Sequence, residues 1–381
     1  MNALRDDPRW RDGNSWRDDP QTAEQPPLPL PLPRLDLAAA FALPPAPLDF
    51  ALPGFVAGAV GSIVAAGATG KSFFALQIAV HLAGGADTLE LAGVSGWEPT
   101  TGRVLYLGGE DPEDVLAQRM HAIGKRLSPE QRAAAAENLH AAALVGLGAR
   151  IDDARWQQRI EHAAQGCRLV IVDTLRRFHA SDENDSGEMA VLLGTIEQIC
   201  KRARTSVLFL HHTSKAGALN GASDQQAARG SSVLTDNVRW QCNLSTMTQA
   251  EAGAVAMGED ERRTLVRCSW PKVNYSAPIG DLWFRRTTGG VLRPEPKVAA
   301  LMTLGAVLGG AQGQSKGRRG KGKGKAAAPA AAAAAQAGLL GGLGGLDENG
   351  DVPLGEPAEP KRSFEDSWVS GGSGSGNHVD F

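Results

Sequence analysis

Ala65-Ala66-Gly67-Ala68-Thr69-Gly70-Lys71-Ser72 decides the fold. It joins the unbroken apolar run GSIVAA (61–66) to the helical pattern SFFALQIAVHLA (72–83). A buried strand, a Gly-rich turn and a helix opening on Lys-Ser form the phosphate-binding arrangement G-x4-G-K-[ST]. Ala65 takes the place of the first Gly, and Gly67 and Gly70 still let the backbone curl. In such a loop the main-chain N–H groups of Ala66, Gly67, Ala68, Thr69 and Gly70 cradle a β-phosphate at a helix N-terminus. Lys71 is placed to reach the β and γ oxygens and Ser72 to ligate Mg²⁺, so ATP and Mg²⁺ are the expected ligands.

Outward from the loop, apolar runs alternate with helical stretches. RVLYLGG (103–109), RLVIVDT (168–174) and SVLFLHH (206–212) read as further buried strands. Helices are expected from Pro112 to about Arg126, after the capping box Ser128-Pro129-Glu130-Gln131, and over 187–203. Strands spaced by helices of this size predict an α/β fold, a mostly parallel sheet flanked by helices. NVRWQCNLS (237–245), RTLVRCSW (263–270) and DLWFRR (281–286) alternate more and are expected as antiparallel edge strands.

Candidate chemistry sits where these strands end. Asp173 closes a run of four apolar residues, as expected of the second nucleotide motif, whose carboxylate holds the Mg²⁺ shell. Glu110 follows RVLYLGG, and a carboxylate at the carboxyl end of a parallel strand points into the ligand crevice. It is the candidate base that orients or deprotonates water. Glu110 and Asp173 belong to separate strands, a RecA-type rather than an AAA⁺-type arrangement. His211 and His212 end the fourth strand, where a γ-phosphate sensor would sit.

The chain has 381 residues, 42% of them hydrophobic, and a formal net charge of −3, which argues against coating of DNA by bulk positive charge. Cys167, Cys200, Cys242 and Cys268 stand singly, so neither a zinc site nor a disulfide framework is expected. A charged N-terminus and the absence of a long apolar run predict a cytoplasmic protein with no membrane segment. Three segments are expected: a Pro-rich disordered tail (1–38), the ATPase domain (39–300) and a low-complexity, disordered tail (301–381). PPLPLPLP (26–33) reads as a stiff polyproline spacer or a ligand for a proline-binding partner. The basic block KGRRGKGKGK (316–325) reads as a solvated tail or an electrostatic hold on nucleic acid.

PLDFALPGFVAGAVG (47–61), AAGATGKSFFALQIA (65–79), YLGGEDP (106–112), VDTLRRFH (172–179), FLHHTSKAGA (209–218), DQQAARGSSVLTDNVRWQ (224–241) and WFRRTTGGVLRP (283–294) carry a resemblance. Together they resemble the RepA replicative helicases of IncQ-type plasmids, a branch of the RecA-like hexameric ATPases. The resemblance implies a RecA-like P-loop NTPase core and a ring of six subunits that hydrolyses ATP and moves along single-stranded DNA. Separate primase and initiator proteins are implied as partners. It implies Lys71 and Ser72 on phosphate and magnesium, Glu110 as base, Asp173 as second-motif acid and His212 as sensor. Arg239 matches the family's arginine finger, and Arg119 and Arg229 match positions near the nucleotide. Lys272 is a candidate second trans cation. The loop from Thr213 to Gly230, with Lys215, is a candidate DNA grip without aromatic stacking. Two alternatives remain open: a RecA-like ATPase that loads or regulates without unwinding, and a DNA-binding scaffold with a degenerate ATP site. The second is disfavoured because Lys71, Ser72, Glu110 and Asp173 are all present.

Overall fold

Apolar runs with no alternation need cover on both faces, and the order of the strands supplies it. The computed structural model describes residues 34–213 and 233–303. Of the two expected tails, 1–33 and 304–381 lie outside the described residues, as do Lys215 and Arg229 of the candidate loop. Met1–Pro47 and Leu48–Phe381 form two units. In the first, Asp36 caps α1 (Leu37–Ala42) by accepting from the Ala39 N–H at 2.9 Å, and no residue of the helix is buried.

The second unit begins with an antiparallel pair, β1 (Phe50–Leu52) and β2 (Phe55–Val56). β3 (Val60–Ala65) is buried at every position and leads through the phosphate loop into α2 (Lys71–Gly84). β4 (Arg103–Gly108), α3 (Glu113–Gly124), α4 (Pro129–Asn138), β5 (Leu139–Ala143), α5 (Ala154–Ala164), β6 (Cys167–Asp173), α6 (Ser186–Ala203) and β7 (Ser206–His212) follow. After them come α7 (Val233–Asp236), β8 (Trp240–Thr246), α8 (Gln249–Ala254), α9 (Glu259–Thr264), β9 (Leu265–Val273), β10 (Leu282–Arg286) and β11 (Leu292–Pro294).

Among the described residues, nine strands form one sheet in the order β11-β10-β9-β8-β3-β7-β6-β4-β5. β8, β3, β7, β6, β4 and β5 run parallel, while β9, β10 and β11 are antiparallel to their neighbours. This is the expected mostly parallel α/β architecture with antiparallel edge strands. One element differs from expectation. NVRWQCNLS contains β8, which pairs parallel with β3 and lies inside the sheet. Its alternation suggested a solvated face, but Gln241 and Asn243 are both buried and the Gln241 amide donates to Asn243 Oδ1 at 2.8 Å. A pair of polar side chains that satisfy one another can occupy a covered face.

Period-two alternation sorts the sheet's side chains into two layers. Val104, Tyr106, Leu169, Ile171, Leu208 and Leu210 join α2, α3 and α4 in one core. Leu105, Leu107, Val170, Val172, Val207 and Phe209 join α5 and α6 in the other. Each fully buried Leu, Ile, Val or Phe contributes about 1.5–3 kcal/mol. The central strands are therefore a stiff platform for whatever is mounted on their ends. The capping box of α4 forms as expected: Ser128 accepts from the Gln131 N–H at 3.2 Å and its own N–H donates to Gln131 Oε1 at 3.0 Å.

Candidate functional site

Four candidates from four strands meet at one edge. In the β3–β7 register Ala65 lies opposite His212, and in the β4–β6 register Gly108 lies opposite Asp173. β6 and β7 are themselves parallel neighbours. The loop after β3, the residues after β4 and the ends of β6 and β7 therefore share the carboxyl edge, where open α/β sheets bind ligands.

The loop has the conformation a phosphate needs. Gly70, the N-cap of α2, has φ +106, where a side chain would be strained. Gly67 and Ala68 are exposed and Ala66 is half-buried, whereas Thr69 and Lys71 are buried. Ala68, Gly70, Lys71 and Ser72 line a cavity of about 300 Å³, with Phe73, Glu110, Asp111, Arg119, Arg286 and Gly290 on its other walls.

Asp173 is buried, and the Tyr106 hydroxyl donates to its Oδ2 at 2.5 Å. Burial pushes the Asp173 carboxyl pKa up, while Tyr106, Ser72 and the Lys71 charge pull it back. Burial, then the charge of Asp173, raise the Tyr106 phenol well above its ordinary value, which keeps it a neutral donor. Asp173 Oδ1 is buried with no hydrogen-bond partner. A buried carboxylate oxygen left open beside Ser72 and Lys71 fits the hydrated shell of a divalent cation.

Glu110 accepts from the Thr174 hydroxyl at 2.9 Å, and its Oε1 lies 3.6 Å from His212 Nε2. The His212 imidazole, then the Thr174 hydroxyl and the Lys71 charge, outweigh burial and hold the Glu110 carboxyl at about 2. It is thus firmly ionised, fit to orient water and paired with the expected sensor. His211 points to the other face of β7, 2% exposed, with Nδ1 at 3.9 Å from Glu183 Oε1. Among the described residues no group of His, Cys, Asp and Glu could hold a metal ion by itself.

The remaining candidates fall in different places. Arg119, on α3, is held by Asp111 at 2.5 and 3.0 Å and lies 5.6 Å from the centre of the Phe73 ring, on the cavity wall. Arg239 is exposed at the amino end of β8. Trp240 pairs with Gly61 while Leu244 pairs with Ala65, so Arg239 lies roughly five residues, ~16 Å, behind its own phosphate loop. Lys272 is drawn to α7, donating to Thr235 O at 3.0 Å and Asp236 O at 2.7 Å. Burial and the nearby Arg239 charge lower its pKa. The four cysteines are buried and free, with Cys242 and Cys268 sulfurs 3.1 Å apart. Among the described residues no helix is long and apolar enough to cross a membrane.

Sequence reasoning missed Tyr106, Thr174 and Arg286. A Tyr inside an apolar strand is a signal for the first, because a buried hydroxyl needs a partner. The other two carried none.

A family model described as an AAA domain matches residues 25–218, half of the chain. The chain belongs to this family. It carries an AAA-type ATPase domain, and within that domain its two carboxylates, Glu110 and Asp173, come from the neighbouring strands β4 and β6. A solved structure described as an ATPase domain is similar at 14% identity and a TM-score of 0.40, covering 61% of this chain and 82% of that one.

Proposed function

We propose that this chain is an ATP-dependent DNA helicase of the RepA type, working as a ring of six copies of the 39–300 domain on single-stranded DNA. The observation that carries the hydrolytic half is the convergence of Lys71, Glu110, Asp173 and His212 on one sheet edge. Lys71 and the loop amides bind the β- and γ-phosphates. Ser72 and Asp173 would hold a magnesium ion, which neutralises charge on those oxygens when bound. Glu110, ionised and fixed by Thr174, orients the attacking water. His212, at the end of β7 and 3.6 Å from Glu110 Oε1, would sense the γ-phosphate.

The translocating half rests on the sequence resemblance and on Arg239. Its exposure away from its own loop supports service to a neighbouring copy's γ-phosphate. The unit would act with separate primase and initiator proteins in the replication of a plasmid or mobile element, in the cytoplasm. Strand displacement on a forked duplex with ATP and Mg²⁺ tests this. Displacement by the wild-type chain and none by Glu110→Gln is expected. DNA-stimulated ATP hydrolysis with no displacement would replace the helicase with a RecA-like loader or regulator.

A further inference from the structure

Arg286 ends β10, in the run WFRR, and it faces the same cavity as the phosphate loop. Its position is built in from two sides. Its cross-strand partner on β11 is Leu292. Gln77, between one and two turns along α2 from Lys71 and fully buried, exchanges two hydrogen bonds with that residue. Its amide donates to Leu292 O and its Oε1 accepts from Leu292 N–H, each at 2.9 Å. The turn that follows Arg286 lies on the first turn of α2. Gly290 there has φ +90, and a Cβ on it would come within 2.3 Å of the Phe73 ring. The β10–β11 hairpin is thus docked on the phosphate-loop helix, and Arg286 is held at the loop.

The guanidinium makes one contact that explains its direction and lacks another that its charge requires. Its Nη2 donates to Thr69 O, inside the loop, at 2.9 Å. Its Nε is buried without a hydrogen-bond partner. Among the described residues no carboxylate lies within ion-pair distance of it, and burial alone pushes its pKa down. The arginines around it differ. Arg285 has Glu261 and Glu295 at 2.8 Å each, Arg119 has Asp111, and Arg267 has Glu251 at 2.7 Å. A half-buried charge without a counter-ion is costly. A polyanion entering the cavity would supply that counter-ion at the spot where the chain does not.

We propose that Arg286 is a nucleotide-binding cation acting in cis, whose countercharge is the polyphosphate of the bound nucleotide. It is distinct from Lys71, which enters from the helix, because it approaches the loop from the edge hairpin. Occupancy of the cavity is thereby felt by β10 and β11 as well as by the sheet's carboxyl edge. The inference rests on the ATPase reading of the site.

Equilibrium binding of Mg²⁺-ADP and of inorganic pyrophosphate to the full chain tests it, alongside thermal denaturation without ligand. A charged hydrogen bond to phosphate is lost in Arg286→Gln, so its affinity for both ligands should fall about tenfold. Arg286→Lys should stay within about threefold of wild type, because the charge is kept. The ligand-free midpoint of Arg286→Gln should be no lower than wild type, since an uncompensated charge has been removed. Undiminished binding of ADP and pyrophosphate by Arg286→Gln would overturn the proposal. So would equal losses in both variants with lowered ligand-free midpoints, which would make Arg286 a clamp on Thr69 only. Should Arg286→Gln not fold, Arg286→Lys decides, since a tenfold loss of affinity there contradicts a charge role. If the wild-type chain binds neither ligand, the ATPase reading falls and this inference with it.

Discussion

Glu110 and His212 are each legible as strand-end residues, but their pairing is not, because sequence does not say which strand ends are neighbours. The pairing has a pH consequence. Glu110 is held at about 2 in the fold, well below its ordinary value of 4.5. A depressed carboxyl contributes stability that is fully present above the unfolded pKa and is lost as pH falls through the folded one. The window is therefore from about pH 4.5 down to about 2, and His212 is the first cause of the shift. In His212→Asn that contribution should shrink. Thermal midpoints of wild type and variant, compared pH by pH, should converge as pH falls through this window. A constant gap would mean that His212 does not hold the Glu110 carboxylate. Tyr106 and Thr174 are the supporting residues at this scale. Tyr106 carried a signal for a partner but not for which one, and Thr174 carried none, because their contacts depend on the β4–β6 register and on the turn after Asp173.

Most of the elements could be read from pattern alone: β3, β4, β6 and β7 are runs without alternation, and α4 carries its capping box. β5 could not, since LHAAA is half-buried, Ala-rich and continuous with α4, so nothing in it favours a strand. β8 misled because its polar residues satisfy one another out of reach of water. The β10–β11 hairpin is the element whose importance was least visible. Its docking on α2 uses the Gln77–Leu292 hydrogen bonds and one glycine, and Gly290→Ala should cost roughly 1–3 kcal/mol through positive φ and overpacking against Phe73. Gly280→Ala is the control, since a Cβ there meets nothing within 4 Å. Thermal denaturation should lower the midpoint of the first variant and leave that of the second unchanged. Equal midpoints in both would mean that Gly290 does not pack closely on Phe73.

At the scale of the whole molecule, the sheet sets Arg239 apart from the candidate site. The carboxyl edge holds the phosphate loop, Glu110, Asp173 and His212, whereas Arg239 lies at the amino end of β8. In trans, Arg239→Ala should bind nucleotide like wild type and lose turnover roughly 10³-fold. Mixed with Lys71→Ala from dissociated protein, it should regain part of the turnover each lacks, seen in a steady-state ATPase assay. Mixed rings with no regained activity would count against a finger at Arg239. All of this stands on one claim, that the carboxyl-edge cluster hydrolyses ATP with Glu110 directing the water. The direct measurement is nucleotide binding and ATP turnover in Glu110→Gln, made side by side with wild type. Unchanged binding with turnover down at least about 100-fold is the predicted result. Turnover at the wild-type rate, or loss of nucleotide binding together with turnover, would contradict it.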